Sequence, residues 1–350
     1  MNMQRNRKNY LLILMMIVAL FFTIVVACVI GSEPIPLSQS LRLILNKIPL
    51  INQFISIEDI DIKVQNIIYI VRIPRILGAT LIGMALAGSG VVFQGVLRNP
   101  LAEPYILGIS SGAALGATVT IVTGLSFTIF GLTSVSIGAF IGAILTMVLV
   151  YNIARVGMKT SITTLLLSGI AVSSLLQALV SLMISLNRDQ VERIIFWTMG
   201  SLSSIKMSHI DVVYIPILIS LLIFLFFSRD LNVMLLGEES ATSMGIDVVI
   251  LRKILLVAAS VATAFSVSIS GIIGFVGLII PHAMRLVVGP NHKYLTPASL
   301  LFGAIFLIVS DTIARTIIAP GQLPIGVITA VVGAPYFIFL LYRNTNISRG

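Results

Sequence analysis

The sequence predicts an all-α polytopic membrane protein of about ten transmembrane helices, on three observations. Hydrophobic residues make up 57% of the 350 and charged residues only 10%, with a mean hydropathy of +1.09, beyond what a water-soluble core needs. Apolar runs of about 20 residues, the length a helix needs to cross a hydrocarbon layer of about 30 Å, follow one another from end to end. These runs are continuously apolar rather than alternating, which favours helices over a barrel, since each helix bonds its own backbone where water is missing. No polar stretch is left over for a separate soluble domain, so residues 1–350 are expected to form a single transmembrane unit.

The first run, near 10–31, follows Arg5, Arg7 and Lys8 without a convincing small-residue cleavage site. It is expected to be a retained anchor, with residues 1–9 as a cytoplasmic tail. Further spans are expected near 73–97, 104–123, 127–151, 161–187, 209–228, 249–270, 271–289, 295–318 and 323–342. As one helix, Ile254 to Val288 would measure about 52 Å, so it must break near Gly271 and Gly274. Residues 32–72, with Glu58, Asp59, Asp61 and Lys63, read as a solvated or interfacial segment outside. Val191 to Leu202 is amphipathic and carries the only tryptophan, Trp197, which suits an interfacial or re-entrant helix. An even number of spans puts both termini on one side. Thirteen of the 22 Lys and Arg then fall on that side, seven of them in the termini and the 152–160 loop, so the positive-inside rule assigns both termini to the cytoplasm.

Small residues recur at helical spacing in Gly108, Gly112 and Gly116, in Gly138 and Gly142, and in Gly271, Gly274 and Gly277. Such stripes let helix backbones approach closely in lipid, so a compact bundle is expected.

Enzymatic chemistry finds little footing. Gly108 to Gly112 read GISSG, with Ser110 or Ser111 as the nominal nucleophile, but a nucleophile elbow needs a strand-to-helix turn and this run is apolar and helical. His209, His282 and His292 have no metal-ligand spacing, and Cys28 is the single cysteine, so no metal site or disulfide is expected. No GxxxxGK[ST] phosphate loop occurs, so any ATPase must be another polypeptide. The net charge of +9 is scattered between apolar runs, which argues against nucleic acid. Asp311 and Arg315 sit four apart inside a span, on one helix face, as a structural ion pair or with the arginine available for docking. No series of buried carboxylates and histidines suits a proton relay, which counts against an ion-coupled secondary transporter, the alternative reading.

The loop Ser228 to Asp247, SRDLNVMLLGEESATSMGID, is unusually structured for a connection. Leu231, Met234 and Leu235 share a helical face, Gly237 breaks the run, and Glu238 and Glu239 open a second short helix at its positive dipole end. Two short cytoplasmic helices are expected, and their exposed apolar residues need a groove on a cytosolic partner.

These residues and their order resemble the iron-chelate, haem and vitamin B12 permease family of ABC importers. The likeness runs from about Val71 to Arg343, through VRIPR (71–75), RNPLAEPYILGISSGAALG (98–116), LLLSG (165–169), LLGEESATSMGI (235–246), GFVGLIIPHAMRL (274–286), DTIAR (311–315) and LPIGVITAVVGAPYFIFLL (323–341). The resemblance implies a non-enzymatic permease of the prokaryotic cell membrane that imports a metal chelate by alternating access. It implies a homodimer or pseudo-dimer, two cytosolic ABC ATPases that use ATP and Mg²⁺, an extracytoplasmic binding protein, and no cofactor on this chain. By matched position, Leu235, Leu236, Gly237, Glu238, Ala241, Met244 and Gly245 would couple to the ATPase. Arg72, Arg75 and Arg315 would face the binding protein, and Asn99, Leu101, Ile162 and Thr163 would form the cytoplasmic gate. Small hydroxylated residues are common at the place of Ile162, which departs from the pattern. The fifth and tenth spans and the Trp197 segment would line the pathway.

Overall fold

The computed structural model describes residues 2–31, 33–47, 52–156, 159–160 and 162–347. Among them are seven helices long and apolar enough to cross a membrane and three shorter apolar helices. They occupy the ten stretches expected from the sequence.

The amino-terminal helix α1 (Asn2–Val29) is followed by the amphipathic α2 (Leu37–Asn46). The described residues between 33 and 72 are less open than the sequence suggests. Ile35, Leu43, Ile60 and Ile68 form a small apolar core of their own, while Arg42 pairs with Asp59 on its exposed side. Helical structure resumes at α3 (Ile62–Asn66) and passes through a π-helical stretch, Ile67–Arg72, into α4 (Ile73–Val96). The span therefore begins earlier than residue 73. Pro74 lacks a backbone N–H and would crowd the preceding turn, and the wider π turn accommodates it.

Helix α4 is the centre of the molecule: most of its residues from Pro74 to Val96 are buried, whereas most of the apolar residues of α1 are exposed or half-buried. A Cβ on Gly83 would strike the Gly303 carbonyl, and one on Gly90 the Gly277 carbonyl. Helix α5 (Ile109–Thr123) starts later than residue 104, because the 3₁₀ turn Pro104–Leu107 ends on a left-handed Gly108. The next span also starts late. Residues 128–129 (β1) and 132–133 (β2) pair as a hairpin turning at Phe130 and Gly131, both at positive φ. Thr133 then caps α6 (Ser134–Ala154). The expected glycine packing is present here, with Gly112 facing Gly142 and Gly116 facing Gly138 at backbone contact.

A second hairpin, Arg155–Val156 (β3) with Lys159–Thr160 (β4), leads into α7 (Ile162–Leu186). The expected amphipathic piece is α8 (Val191–Thr198), followed by α9 (Met207–Phe226). Two short helices, α10 (Ser228–Met234) and α11 (Glu238–Ser243), precede α12 (Val248–Ser270). The predicted break falls at 271–275, before α13 (Val276–Val288). Gly271 packs on the Trp197 carbonyl, but a Cβ on Gly274 would meet nothing within 4 Å, so Gly274 does not pack as the stripe suggested. Helices α14 (His292–Thr316) and α15 (Ile325–Ile347) complete the bundle.

Candidate functional site: the two ends of the bundle

Helix α14 runs from His292 to Thr316, about 37 Å at 1.5 Å per residue, and its ends mark two regions of opposite character. His292 touches the loop of α10 and α11, whereas Arg315 lies in a cluster of cations at the far end.

At the Arg315 end, the ion pair foreseen between Asp311 and Arg315 is present but secondary, at 3.8 Å. The principal partner of Asp311 is Arg75 of α4, whose Nε donates to the two carboxylate oxygens at 2.8 and 2.9 Å. Arg75 Nη1 also donates to Gln322 at 2.7 Å. Arg72 donates to the carbonyls of Cys28 and Val29 in the last turn of α1 and of Glu33 just beyond it, and Arg315 to that of Ala27. Gly31 leaves room for the Arg72 guanidinium. All three arginines are at most 5% exposed. They serve first to satisfy the carbonyls at the end of α1 and to tie α1, α4 and α14 together. A cavity of about 300 Å³ opens beside them, lined also by Glu33 and Lys63. Lys63, at the rim of this cavity, is an accessible cation, with a side chain 70% exposed and paired to Glu33 at 3.1 Å.

At the other end, α10 and α11 form the expected pair of short helices, joined at Gly237 with φ +126°. The apolar face reads differently from the sequence expectation. Leu231 and Met234 are buried against the bundle, and Ala241 is buried as well, whereas Leu235, Leu236 and Met244 are exposed. Residues three apart on one face pack inward, and the turn at the end of α10 directs the next two leucines outward. Glu238 pairs with Arg252 of α12, fixing the start of α11. Gly245, φ +85°, ends that segment in open space.

The connection between α4 and α5 lies near this end of α4. Asn99 caps its own turn, accepting from the Leu101 N–H at 2.9 Å, and Leu101 is exposed. Glu103 in the same connection is half-buried, and desolvation raises the pKa of its carboxyl. Thr163 is exposed on the first turn of α7. Ile162 begins that helix, but its side chain lies outside the described residues.

Between the ends, the broken segment 271–275 is held by groups the sequence did not single out. Tyr105 Oη donates to the Ile273 carbonyl at 2.7 Å and accepts from its N–H at 3.3 Å. The Ser201 N–H donates to Ser270 at 2.7 Å. Non-helical backbone at membrane depth requires such partners. A cavity of about 570 Å³ lies against this break, lined by Arg193, Trp197, Lys206, His209 and several serines. Helix α7 exposes a polar stripe, Ser174, Gln177 and Ser181, at mid-span.

An all-helical, polytopic membrane permease is the class these features define. The chain belongs to the FecCD transport family, whose model matches residues 16–343. It is 44% identical over 278 residues to the cobalamin import system permease protein BtuC of Halobacterium salinarum, covering 79% of this chain and 73% of that one. It is 39% identical over 276 residues to the hemin transport system permease protein HmuU of Yersinia pestis, covering 78% and 82%. Among solved structures, an inward-facing metal-chelate type ABC transporter matches with a TM-score of 0.80 at 34% identity, covering 95% of this chain and 98% of that one. The chain is thus a transport subunit of the ABC permease type and not an enzyme.

Proposed function

We propose that this chain forms, with a second copy or a paralogue, the transmembrane pathway of an ATP-driven importer for a metal chelate of the siderophore, haem or cobalamin class. The observation that carries this reading is the exposed apolar tip of Leu235, Leu236 and Met244, which lies outside every span and has no lipid to cover it. A cleft on a cytosolic ABC ATPase is the occupant the family supplies, and that assigns the loop and both termini to the cytoplasm. The arginine end then faces outward, toward an extracytoplasmic binding protein. Exposed ion pairs contribute roughly 0 to 1 kcal/mol each, so charges there steer and register docking more than they supply affinity.

The mid-span stripe on α7 supports the pathway assignment. A bare Gln177 amide facing hydrocarbon is costly, so this face belongs against a second copy or an aqueous passage rather than lipid. Alternating access follows: ATP closes the ATPase pair, the loop transmits the motion, and the connection at Asn99, Leu101, Ile162 and Thr163 opens or closes.

The test is uptake into proteoliposomes carrying the chain with its ATPase and binding protein, using labelled ferric siderophore, haem and cobalamin in parallel. One cargo should accumulate only with ATP and all three components. Uptake driven by an ion gradient without the ATPase would replace this reading with that of a secondary transporter.

A further inference from the structure

A buried histidine, His292, and the half-buried Asn232 of the coupling loop form a defined joint. Asn232 of α10 is bonded twice to the first residue of α14: its Oδ1 accepts from the His292 N–H at 2.8 Å and lies 3.0 Å from His292 Nδ1. The Asn232 Nδ2 donates to Asn291 at 3.0 Å. With its amide nitrogen so occupied, Asn232 presents only the oxygen to the ring, which fixes the imidazole as the tautomer carrying hydrogen on Nδ1. His292 is 1% exposed, and its Nε2 has no hydrogen-bond partner. That nitrogen rests on α4 where Gly95 leaves space. A Cβ at Gly95 would stand 3.1 Å from Nε2 and 3.1 Å from Leu231 of α10.

The same turn of α4 leads directly to the connection that carries Asn99 and Leu101. The Arg98 N–H bonds Gly95 O at 3.4 Å, and the Asn99 N–H bonds Gln94 O at 3.2 Å. Gln94 is held from the other side by Arg285 of α13 at 2.9 Å. Only a few residues and hydrogen bonds therefore separate α10 from Leu101.

We infer that Asn232 and His292, seated on Gly95, are the positioning residues through which displacement of α10 reaches the Asn99–Leu101 connection. This rests on the coupling reading of residues 229–247. A sheet of apolar contacts alone would let α10 slide. The paired hydrogen bonds to the backbone and ring of one buried residue instead make α10, the start of α14 and the end of α4 move together. Leu231 and His292 press on the same glycine, so a shift of either is felt at the residues before Asn99.

The test places a reporter cysteine at Leu101 (Leu101→Cys) in a Cys28→Ala background, since Cys28 is the only native cysteine. The chain is assembled with its ABC ATPase in lipid nanodiscs, and maleimide labelling is timed with and without ATP, per ATP hydrolysed. Asn232→Ala and His292→Leu should reduce the ATP-dependent change in labelling rate by roughly tenfold, the scale of a moderate coupling between sites. His292→Asn, whose amide nitrogen reaches the Nδ1 position, should keep most of it. An undiminished response in Asn232→Ala and His292→Leu overturns the inference. So does loss of assembly with the ATPase in these variants, which would assign the pair to stability alone. A parent chain that fails to bind the ATPase, or whose reporter ignores ATP, removes the coupling reading itself and this inference with it.

Discussion

The two ends of α14 handle polarity in opposite ways. At the Arg315 end, three guanidiniums and a carboxylate are withdrawn from solvent and bonded within the chain, with the Arg315 Nε left without a hydrogen-bond partner. At the His292 end, apolar side chains are left in the open, while the polar His292 beneath them is buried and bonded to the half-buried Asn232. Charge in a membrane protein is thus first a means of closing the fold. Exposed leucine outside a span is the better mark of a docking surface.

That contrast breaks if Asp311→Ala is harmless. Removing the carboxylate leaves Arg75 and Arg315 buried without a counter-charge, and loss of one partner of a buried pair typically costs about 3–5 kcal/mol. The thermal midpoint of the purified chain in detergent should fall steeply, with little of the fall recovered by salt. Next in size, Leu236→Glu should weaken association with the ATPase by on the order of 2 kcal/mol, the scale of an interface anchor. The unfolding of the isolated chain should not change, because Leu236 is 70% exposed. An equal loss of stability would show that this leucine belongs to the core after all.

Smaller still is the effect expected at Glu103, whose carboxyl pKa is raised by desolvation. A raised acid binds its proton more tightly in the folded state, so its stabilising share is full below the ordinary carboxylate range and is lost as pH rises through the raised value. Glu103→Gln should therefore raise the thermal midpoint at pH 8 and change it little at pH 4, and the reverse order would contradict the burial. Smallest is Arg42→Ala. The Arg42 hydrogen bond lowers the pKa of the Asp59 carboxyl, but the pair is exposed and screened, so thermal unfolding should not move measurably at physiological salt.

Docking by the arginines needs a more careful test than charge reversal. Arg72 and Arg75 hold the end of α1 and the Asp311 carboxylate, so reversing them disturbs the fold before it reports on a partner. Lys63→Glu samples the same face without that cost. A salt-dependent fall in binding-protein association without a change in unfolding is the expected result.

Much of the fold was legible in the sequence. The spans, the break after Ser270, the short helices about Gly237 and the glycine contact of α5 with α6 all follow from local composition and helical spacing, since hydrocarbon forces each apolar run to bond its own backbone. The late starts of α5 and α6 were hidden because apolar content marks membrane depth but not backbone conformation, and residues 127–133 carry Phe127, Ile129, Phe130 and Leu132 in a hairpin rather than a helix. What only the tertiary structure decided are the long-range partners. Asp311 takes Arg75, 236 residues away, as its principal partner, and the neighbour four residues on as a secondary one. Leu231 and Met234 turned inward while Leu235 and Leu236 stayed out. Helical periodicity tells which residues share a face, but which face another helix covers depends on where the chain brings that helix, and no local pattern encodes that distance.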